Sequence, residues 1–201
     1  MKMLHSRMVE VRFEAVTASF VASGAPEGIH DLGRLLESLN NPAIARQIEL
    51  ARPSVRPLYR AGRAAPLEAP LLVRRDEIIF ANFEGPYFTR GTVKPTRTDT
   101  PVLLLAPPFQ IQGVIGIEPG ADATQALRRA MEGFFVVRHA RVFDGEGVQL
   151  GEGEQIIVNG GAVQMVSATR RRIAAGASRT PGPEQASEDA APAAAREPRA
   201  A

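Results

Sequence analysis

The chain contains neither cysteine nor tryptophan, and all but two of its 24 basic residues are arginine. The lack of cysteine excludes disulfide frameworks, zinc sites built on thiolates and cysteine nucleophiles. The apolar run around residues 103–105 is closed by two prolines and falls far short of the roughly 20 residues that cross a bilayer. The first ten residues lack the apolar segment of a secretory signal. We therefore expect a soluble protein of the cytoplasm with no membrane partner.

The rest of the composition is that of an ordinary globular protein. Hydrophobic residues make up 44% and charged residues 23% of the 201 positions, so the chain can bury a core without metals or disulfides. The formal net charge of +2 is too small to indicate nucleic-acid binding by itself. Composition therefore bounds the class of protein and leaves its function open.

Two similar stretches, residues 71–81 and 156–166, organise the chain. Each consists of two apolar runs around a short polar break, which is the pattern of a β-hairpin. When the stretches are aligned, Val73 falls on Val158, 85 positions further along the chain. The similarity indicates one structural unit that occurs twice.

The predicted turns of these two hairpins differ in charge. The first contains Arg74 and Arg75, whereas the second contains Asn159 and Gly160, a strong signal for a two-residue hairpin turn. Any functional difference between the two units is therefore expected at these turns, since the flanking strands are alike.

One helix is predicted in each unit. Leucines within residues 32–39 are spaced to form one apolar face, with Asp31 as the N-cap and Asn40 near the end. In the second unit Asp122, followed three positions later by Gln125, is a variant of the capping box ahead of a second apolar stripe.

The remaining segments are assigned to strands and loops. Residues 9–24 alternate as a strand with one change of phase, and four prolines in residues 51–70 predict a loop or an edge. The spacing of Phe20 and Gly24 recurs at Phe109 and Gly113. Gly113, Gly116 and Gly120 do not have the spacing of a phosphate loop, so we expect glycine here to permit a bend or bulge in a curved strand.

Each unit thus has the order strand, helix, strand, hairpin. The sequence predicts a β-rich α+β protein with about eight strands and two helices, in two tandem pseudo-symmetric units packed as one body. The units span residues 8–82 and 102–169, joined by a connection over residues 83–101. The Ala/Pro-rich residues 173–201 contain almost no large apolar side chains, so we expect a disordered tail.

This succession of elements resembles a loosely defined family of uncharacterised bacterial proteins built from the same unit. The residues that carry the resemblance best close the first helix and precede the turn of the second hairpin: Leu39, Asn40, Ile157, Val158 and Asn159. Ala22 and Arg74 depart from the pattern. The resemblance covers about residues 8–168 and implies the repeated fold without any activity.

Arginine clusters are the first candidate binding feature. The candidate basic surface consists of Arg74, Arg75, Arg170, Arg171 and Arg172. Acidic residues are interspersed among the clusters, which favours a solvated surface. Nucleic-acid or nucleotide binding through the arginines is the alternative, because such a surface tracks phosphates.

Acidic residues and histidines are the remaining candidates. Carboxylates alternate with glycines over residues 144–154, but the ligand order of a calcium loop is missing, so we favour solvated turns. His5, His30 and His139 stand without partners at a catalytic spacing. We predict no cofactor and no metal. An enzyme whose site lies between the units, drawing on His139, Asp144 or Glu154, is a further alternative.

The leading hypothesis is a non-catalytic interaction or regulatory module. Its positive basis is the repeat, which creates a pseudo-symmetric surface. If the sheet keeps open edges, pairing with another copy is a natural way to cover them, so the predicted partner is a second copy or another protein.

Overall fold

The computed structural model describes residues 11–44, 46–59, 63–85 and 97–168. Over these residues, eleven antiparallel strands form one sheet, accompanied by two α-helices and two 3₁₀ turns. The β-rich α+β class is therefore confirmed, and the predicted number of strands is too low. The predicted tail at 173–201 and the arginine cluster at 170–172 lie outside the described residues.

The first seven elements lie before residue 85. They are β1 Arg12–Val16, β2 Phe20–Pro26, α1 Leu32–Asn40, β3 Gln47–Pro57, β4 Ala65–Pro66, β5 Leu71–Arg74 and β6 Phe80–Glu84, with a first 3₁₀ turn at Arg75–Glu77 between β5 and β6.

The second series begins at residue 98. It comprises β7 Thr98–Ala106, β8 Phe109–Ile117, α2 Ala123–Ala130, β9 Phe134–Phe143, β10 Gln149–Asn159 and β11 Met165–Ala168, with a second 3₁₀ turn at Gly160–Ala162 between β10 and β11. Neither helix is long and apolar enough to span a membrane, nor is any other helix in the described part of the chain.

The order of strands divides the sheet into two five-stranded stretches. The first stretch is β6-β1-β2-β3-β5, with the two-residue β4 beside β5 on the same side of β3, and the second is β11-β7-β8-β9-β10. They meet where β6 pairs with β10. This junction contains two pairs of opposed residues, Ala81 with Ile157 and Phe80 with Val158.

The hydrophobic core consists of two clusters, and each includes residues from both stretches. Phe80 of β6 packs edge to face on Phe109 of β8, with ring centroids 5.1 Å apart. Conversely, Phe134 and Ile157 of the second stretch belong to the cluster that contains the buried Leu35 of α1. Because each stretch covers apolar surface of the other, the two stretches stabilise one another.

The predicted helix starts are confirmed. The Asp31 carboxylate accepts a hydrogen bond from the backbone N–H of Arg34 at 2.9 Å, and α1 ends at Asn40 as expected. The Asp122 carboxylate accepts from the backbone N–H of Gln125 at 2.8 Å. Each cap satisfies a backbone donor that the first turn of a helix leaves unpaired.

The two predicted hairpins are wrong. Both apolar runs of each stretch are strands, but β5 pairs with β3 while β6 pairs with β1 and β10, and β11 pairs with β7 instead of β10. The 3₁₀ turns redirect the chain, and the apolar residue after each turn, Ile78 or Val163, is buried in the core. Because that residue is buried, the strand after the turn pairs with a different strand and does not fold back on the one before it.

The Asn159-Gly160 pair begins a 3₁₀ turn rather than a two-residue hairpin turn. The Asn159 side-chain oxygen accepts from the backbone N–H of Gly161 at 3.0 Å, which holds the chain in that turn. A Cβ at Gly160 would lie 2.4 Å from the Cα of Met131. Glycine is therefore required here for a close approach of two backbones.

Two further expectations are corrected. The described part of the alternating segment forms two strands, β1 and β2, because the Thr17 hydroxyl accepts from the backbone N–H of Phe20 at 3.0 Å and closes a turn between them. The proline-rich segment after residue 51 continues β3 as far as Pro57. Pro53 is tolerated because it lies at an irregularity in the pairing of β2 with β3.

Of the glycines expected to permit a bulge, Gly113 lies at one, whereas Gly116 pairs in register with Asp99 and Gly120 lies beyond the end of β8. The pairing of β8 with β9 changes register between Gln112 and Val114. A Cβ at Gly113 would lie 2.4 Å from Cγ1 of Val137 and 2.8 Å from the carbonyl oxygen of Arg138. The bend of β8 over β9 therefore leaves no room for a side chain.

Replacing Gly113 by alanine tests this packing constraint. We expect Gly113→Ala to lower the free energy of unfolding by about 1–3 kcal/mol, the usual cost of overpacking. The control is Gly151→Ala in β10, where a Cβ meets nothing within 4 Å. That variant should match the wild type or gain up to about 1 kcal/mol. Urea unfolding followed by circular dichroism measures both, and equal stabilities would contradict the close approach at Gly113.

Candidate functional site

Asn40, the last residue of α1, connects the two stretches. Its side-chain Nδ2 donates to the carbonyl oxygen of Phe134 at 2.9 Å, and its Oδ1 accepts from the N–H of Phe134 at 2.6 Å. The amide thus makes the pair of bonds that a neighbouring strand would make with the start of β9. This fixes α1 of the first stretch against the second.

Asn159, at the end of β10, makes the second polar connection. Its Nδ2 donates to the carbonyl oxygen of Ile78 at 2.8 Å, and its backbone N–H donates to that of Ile79 at 3.0 Å. Ile78 is fully buried, so this bond satisfies a carbonyl in an apolar environment. The sequence predicts Asn40 at the end of a helix and Asn159 in a turn; their contacts at the junction join residues 94 and 81 positions apart, which local patterns do not reveal.

A cleft of about 360 Å³ lies beside these contacts. Its polar lining includes Asn40, Arg75, Asp76, Glu132 and Asn159. Several of these groups already have partners, since the asparagines bond the backbone and the Arg75 Nη1 donates to the carbonyl oxygen of Leu39 at 3.1 Å. The residues named for an enzyme site between the units do not line this cleft, and the enzyme hypothesis stays a prediction.

The arginines of the first turn are engaged locally. The Arg74 guanidinium donates twice to the Asp76 carboxylate, with Nε 3.2 Å from Oδ1. The hydrogen bond to Arg74 lowers the pKa of Asp76, and the same bond raises the pKa of Arg74. Both side chains are exposed, so this ion pair contributes little to stability. Nucleic-acid binding through the basic residues stays a prediction.

His139 and Glu154 lie together, as Nδ1 and Oε2 are 3.4 Å apart. They line a shallow cleft of about 390 Å³, but both side chains are mostly exposed. Asp144 lies in the turn between β9 and β10, where its carboxylate accepts from the N–H groups of Glu146 and Val148 at 2.9 and 2.8 Å. The predicted turn at residues 144–147 is confirmed, whereas the turn predicted around Glu152 and Glu154 is wrong, because these residues continue β10. No three His, Asp or Glu side chains of the described residues are grouped as metal ligands.

Acidic side chains surround the end of the β6·β10 junction. A groove of about 360 Å³ is lined by Glu14, Glu84, Glu152 and Glu154 together with Arg12. Carboxylates on neighbouring strands repel one another, which opposes continued pairing beyond the two opposed positions. The groove therefore marks where β6 and β10 separate.

The two ends of the sheet expose apolar side chains. Leu72 of β5 is 55% exposed and Met165 of β11 is 63% exposed. Within the described part of the chain, β5 pairs with β3 and β11 pairs with β7, and neither has a second partner. Each strand thus presents a free edge beside a large apolar side chain, which is a site for strand pairing.

Neither Leu72 nor Met165 had been singled out from the sequence. The 85-residue shift places Leu72 on Ile157 and Met165 on Phe80, both of which are buried. All four side chains are apolar, so the sequence does not distinguish them. Only the structure shows that Ile157 and Phe80 are covered and that Leu72 and Met165 are not.

No protein-family model, no curated protein and no solved structure matches this chain. The functional proposal therefore depends on the geometry of the chain itself.

Replacing Asn40 by alanine tests the polar connection to β9. We expect Asn40→Ala to lower the free energy of unfolding by about 1–3 kcal/mol, because it leaves the N–H and the carbonyl of Phe134 without partners. Phe134 is mostly buried, so water cannot replace both bonds readily. The measurement is urea unfolding at equilibrium.

The adjacent Asn41 provides a matched control. Its side chain accepts a local bond from the N–H of Ala43 at 3.0 Å, at an exposed turn. Asn41→Ala should cost less than about 1 kcal/mol. If both variants lost the same stability, the contact of Asn40 with β9 would have no special role.

Proposed function

We propose that the chain is a duplicated unit that functions as a non-catalytic interaction module and associates through the open edges of its sheet. The observation that carries the proposal is the exposure of Leu72 and Met165 on two strands that each lack a second partner among the described residues.

The matching pattern of strand pairing supports the duplication. In the first stretch β1 pairs with β2 and β6, and β3 pairs with β2 and β5. In the second stretch β7 pairs with β8 and β11, and β9 pairs with β8 and β10. A helix capped by aspartate follows the second strand of each.

Matching irregularities support it further. Gly24 and Gly113 both lie at a register shift, and at each a Cβ would press against the neighbouring strand. Across from these glycines, Arg52 and His139 both have a φ of 48°, which is uncommon for residues other than glycine. Shared departures from regular geometry are more specific than shared strands, since many folds contain antiparallel strands.

The edges provide the means of association. A strand edge presents unpaired N–H and carbonyl groups, and another strand that pairs with it satisfies them. Leu72 and Met165 are already partly covered, so covering the rest of each contributes about 1–2 kcal/mol. Two such contributions correspond to a factor of about 10 to 10³ in affinity before the entropic cost of association is deducted.

A lysine at Met165 tests whether the edges cause association. We expect the wild-type chain to form species larger than one chain as its concentration rises, and Met165→Lys to weaken that association at least tenfold, because a buried charge replaces an apolar contact. Sedimentation velocity over a concentration series measures both.

Phe20→Lys is the matched control for the lysine substitution. Phe20 is 51% exposed, yet it lies on β2, which pairs with a strand on both sides. This variant should associate like the wild type. A strict monomer at the highest attainable concentration of wild-type chain would refute the proposal.

A further inference from the structure

The two strands at the ends of the sheet correspond in position to the two strands that pair at the junction inside the chain. β10 and β5 hold the same place in their stretches, and so do β6 and β11. Inside the chain β10 pairs with β6, whereas β5 and β11 have no second partner within the described residues. The two free edges are therefore the two sides of a junction that the chain has already formed once.

The opposed pair of Val158 and Phe80 shows which apolar contact is missing at the β11 edge. Val158 faces Phe80, and both are buried, with Phe80 packed on a ring of the other stretch. A shift of 85 positions converts this pair into Val73 and Met165. Val73 is already buried in the core of its own chain, but Met165 is 63% exposed. Met165 therefore lacks the apolar cluster that Phe80 reaches.

The opposed pair of Ile157 and Ala81 shows which apolar contact is missing at the β5 edge. Ile157 faces Ala81, and both are buried. The same shift converts this pair into Leu72 and Val166. Leu72 is 55% exposed, whereas Ile157 is 1% exposed. The neighbour that covers Ile157 inside the chain thus has no equivalent over Leu72.

We propose that β5 of one copy pairs antiparallel with β11 of a second copy of this chain, with Leu72 opposite Val166 and Val73 opposite Met165. This inference rests on the proposed function and specifies its partner and register. Each copy then uses β5 toward one neighbour and β11 toward the other. Such a head-to-tail contact repeats from copy to copy and forms a ring when the rotation closes.

The occupant is a second copy because the chain itself supplies the complementary edge. Within the described residues neither edge is covered by another strand of the same chain. The internal junction shows that a strand in the position of β5 and a strand in the position of β11 are complementary in direction and in apolar content.

Arg74 distinguishes the outer junction from the inner one. It occupies the position of Asn159, whose side chain donates to the carbonyl oxygen of Ile78. The equivalent carbonyl in the outer junction belongs to Val163 of the neighbouring copy. The Arg74 guanidinium has the donors to bond this carbonyl while retaining Asp76, so the charged turn serves the contact between copies.

Directed disulfide formation tests the register. The chain contains no cysteine, so each introduced thiol is unique. Directly opposed residues of an antiparallel pair have Cα atoms about 4.5–5.5 Å apart, which a disulfide can span. Leu72→Cys protein is mixed with Val166→Cys protein, the mixture is oxidised, and cross-linked chains are counted on a non-reducing gel. We expect a two-chain product at least fivefold more abundant in the mixture than in either variant alone.

The control mixture combines Phe20→Cys with Val166→Cys, and it should give only the background level of cross-linking. The double variant Leu72→Cys/Val166→Cys should give covalent species of three or more chains, which end at a discrete size if the contacts close a ring. A disulfide within single chains of that variant would show closure in one copy and overturn the inference. Abundant cross-linking of Leu72→Cys alone would show β5 pairing with β5 and would also overturn it.

The two proposals fail in different ways. If wild-type chains associate and Met165→Lys weakens the association, but the mixture does not cross-link above the control, the head-to-tail register is wrong while the interaction module stands. If wild-type chains remain monomeric at every concentration, both proposals are wrong.

Discussion

The pairing of β6 with β10 is the constraint on which the rest of the structure depends. Only two pairs of opposed residues form it, yet they place Phe80 in one apolar cluster and Ile157 in the other. Asn159 and Asn40 reinforce the pairing with hydrogen bonds to backbone groups at the beginning of β6 and of β9. Because each cluster contains side chains from both stretches, neither stretch buries its core alone.

The inner junction and the outer edge at β5 differ in the kind of polar contact that they contain. At the inner junction a neutral amide bonds a buried carbonyl, an interaction that salt does not screen. At the outer edge Arg74 and Asp76 form an exposed ion pair, which ions in solution weaken. The inner junction is thus a permanent part of the fold. The β5 edge combines an exposed apolar side chain, Leu72, with this exposed ion pair.

Features that depend on near neighbours in sequence were predictable. Asp31 and Asp122 cap their helices because a cap needs only a side chain and a donor three residues later. The bulge at Gly113 was predictable from a glycine within an apolar strand. The hairpins were not, because Asn159-Gly160 fits both a hairpin turn and a 3₁₀ turn locally, and the packing of Val163 selects the second. The exposure of Leu72 and Met165 was not predictable either, because it depends on which strands are neighbours.

The sequence by itself determined the helices with their caps, the apolar positions of the strands and the correspondence of two stretches 85 residues apart. These follow from periodicity and from short-range hydrogen bonding, which do not depend on the rest of the chain. Only the tertiary structure decided which strands are neighbours, because similar apolar runs can pair in several orders. It thereby decided that Ile157 is covered and that Leu72, 85 positions earlier, lies exposed on a strand with no second partner among the described residues.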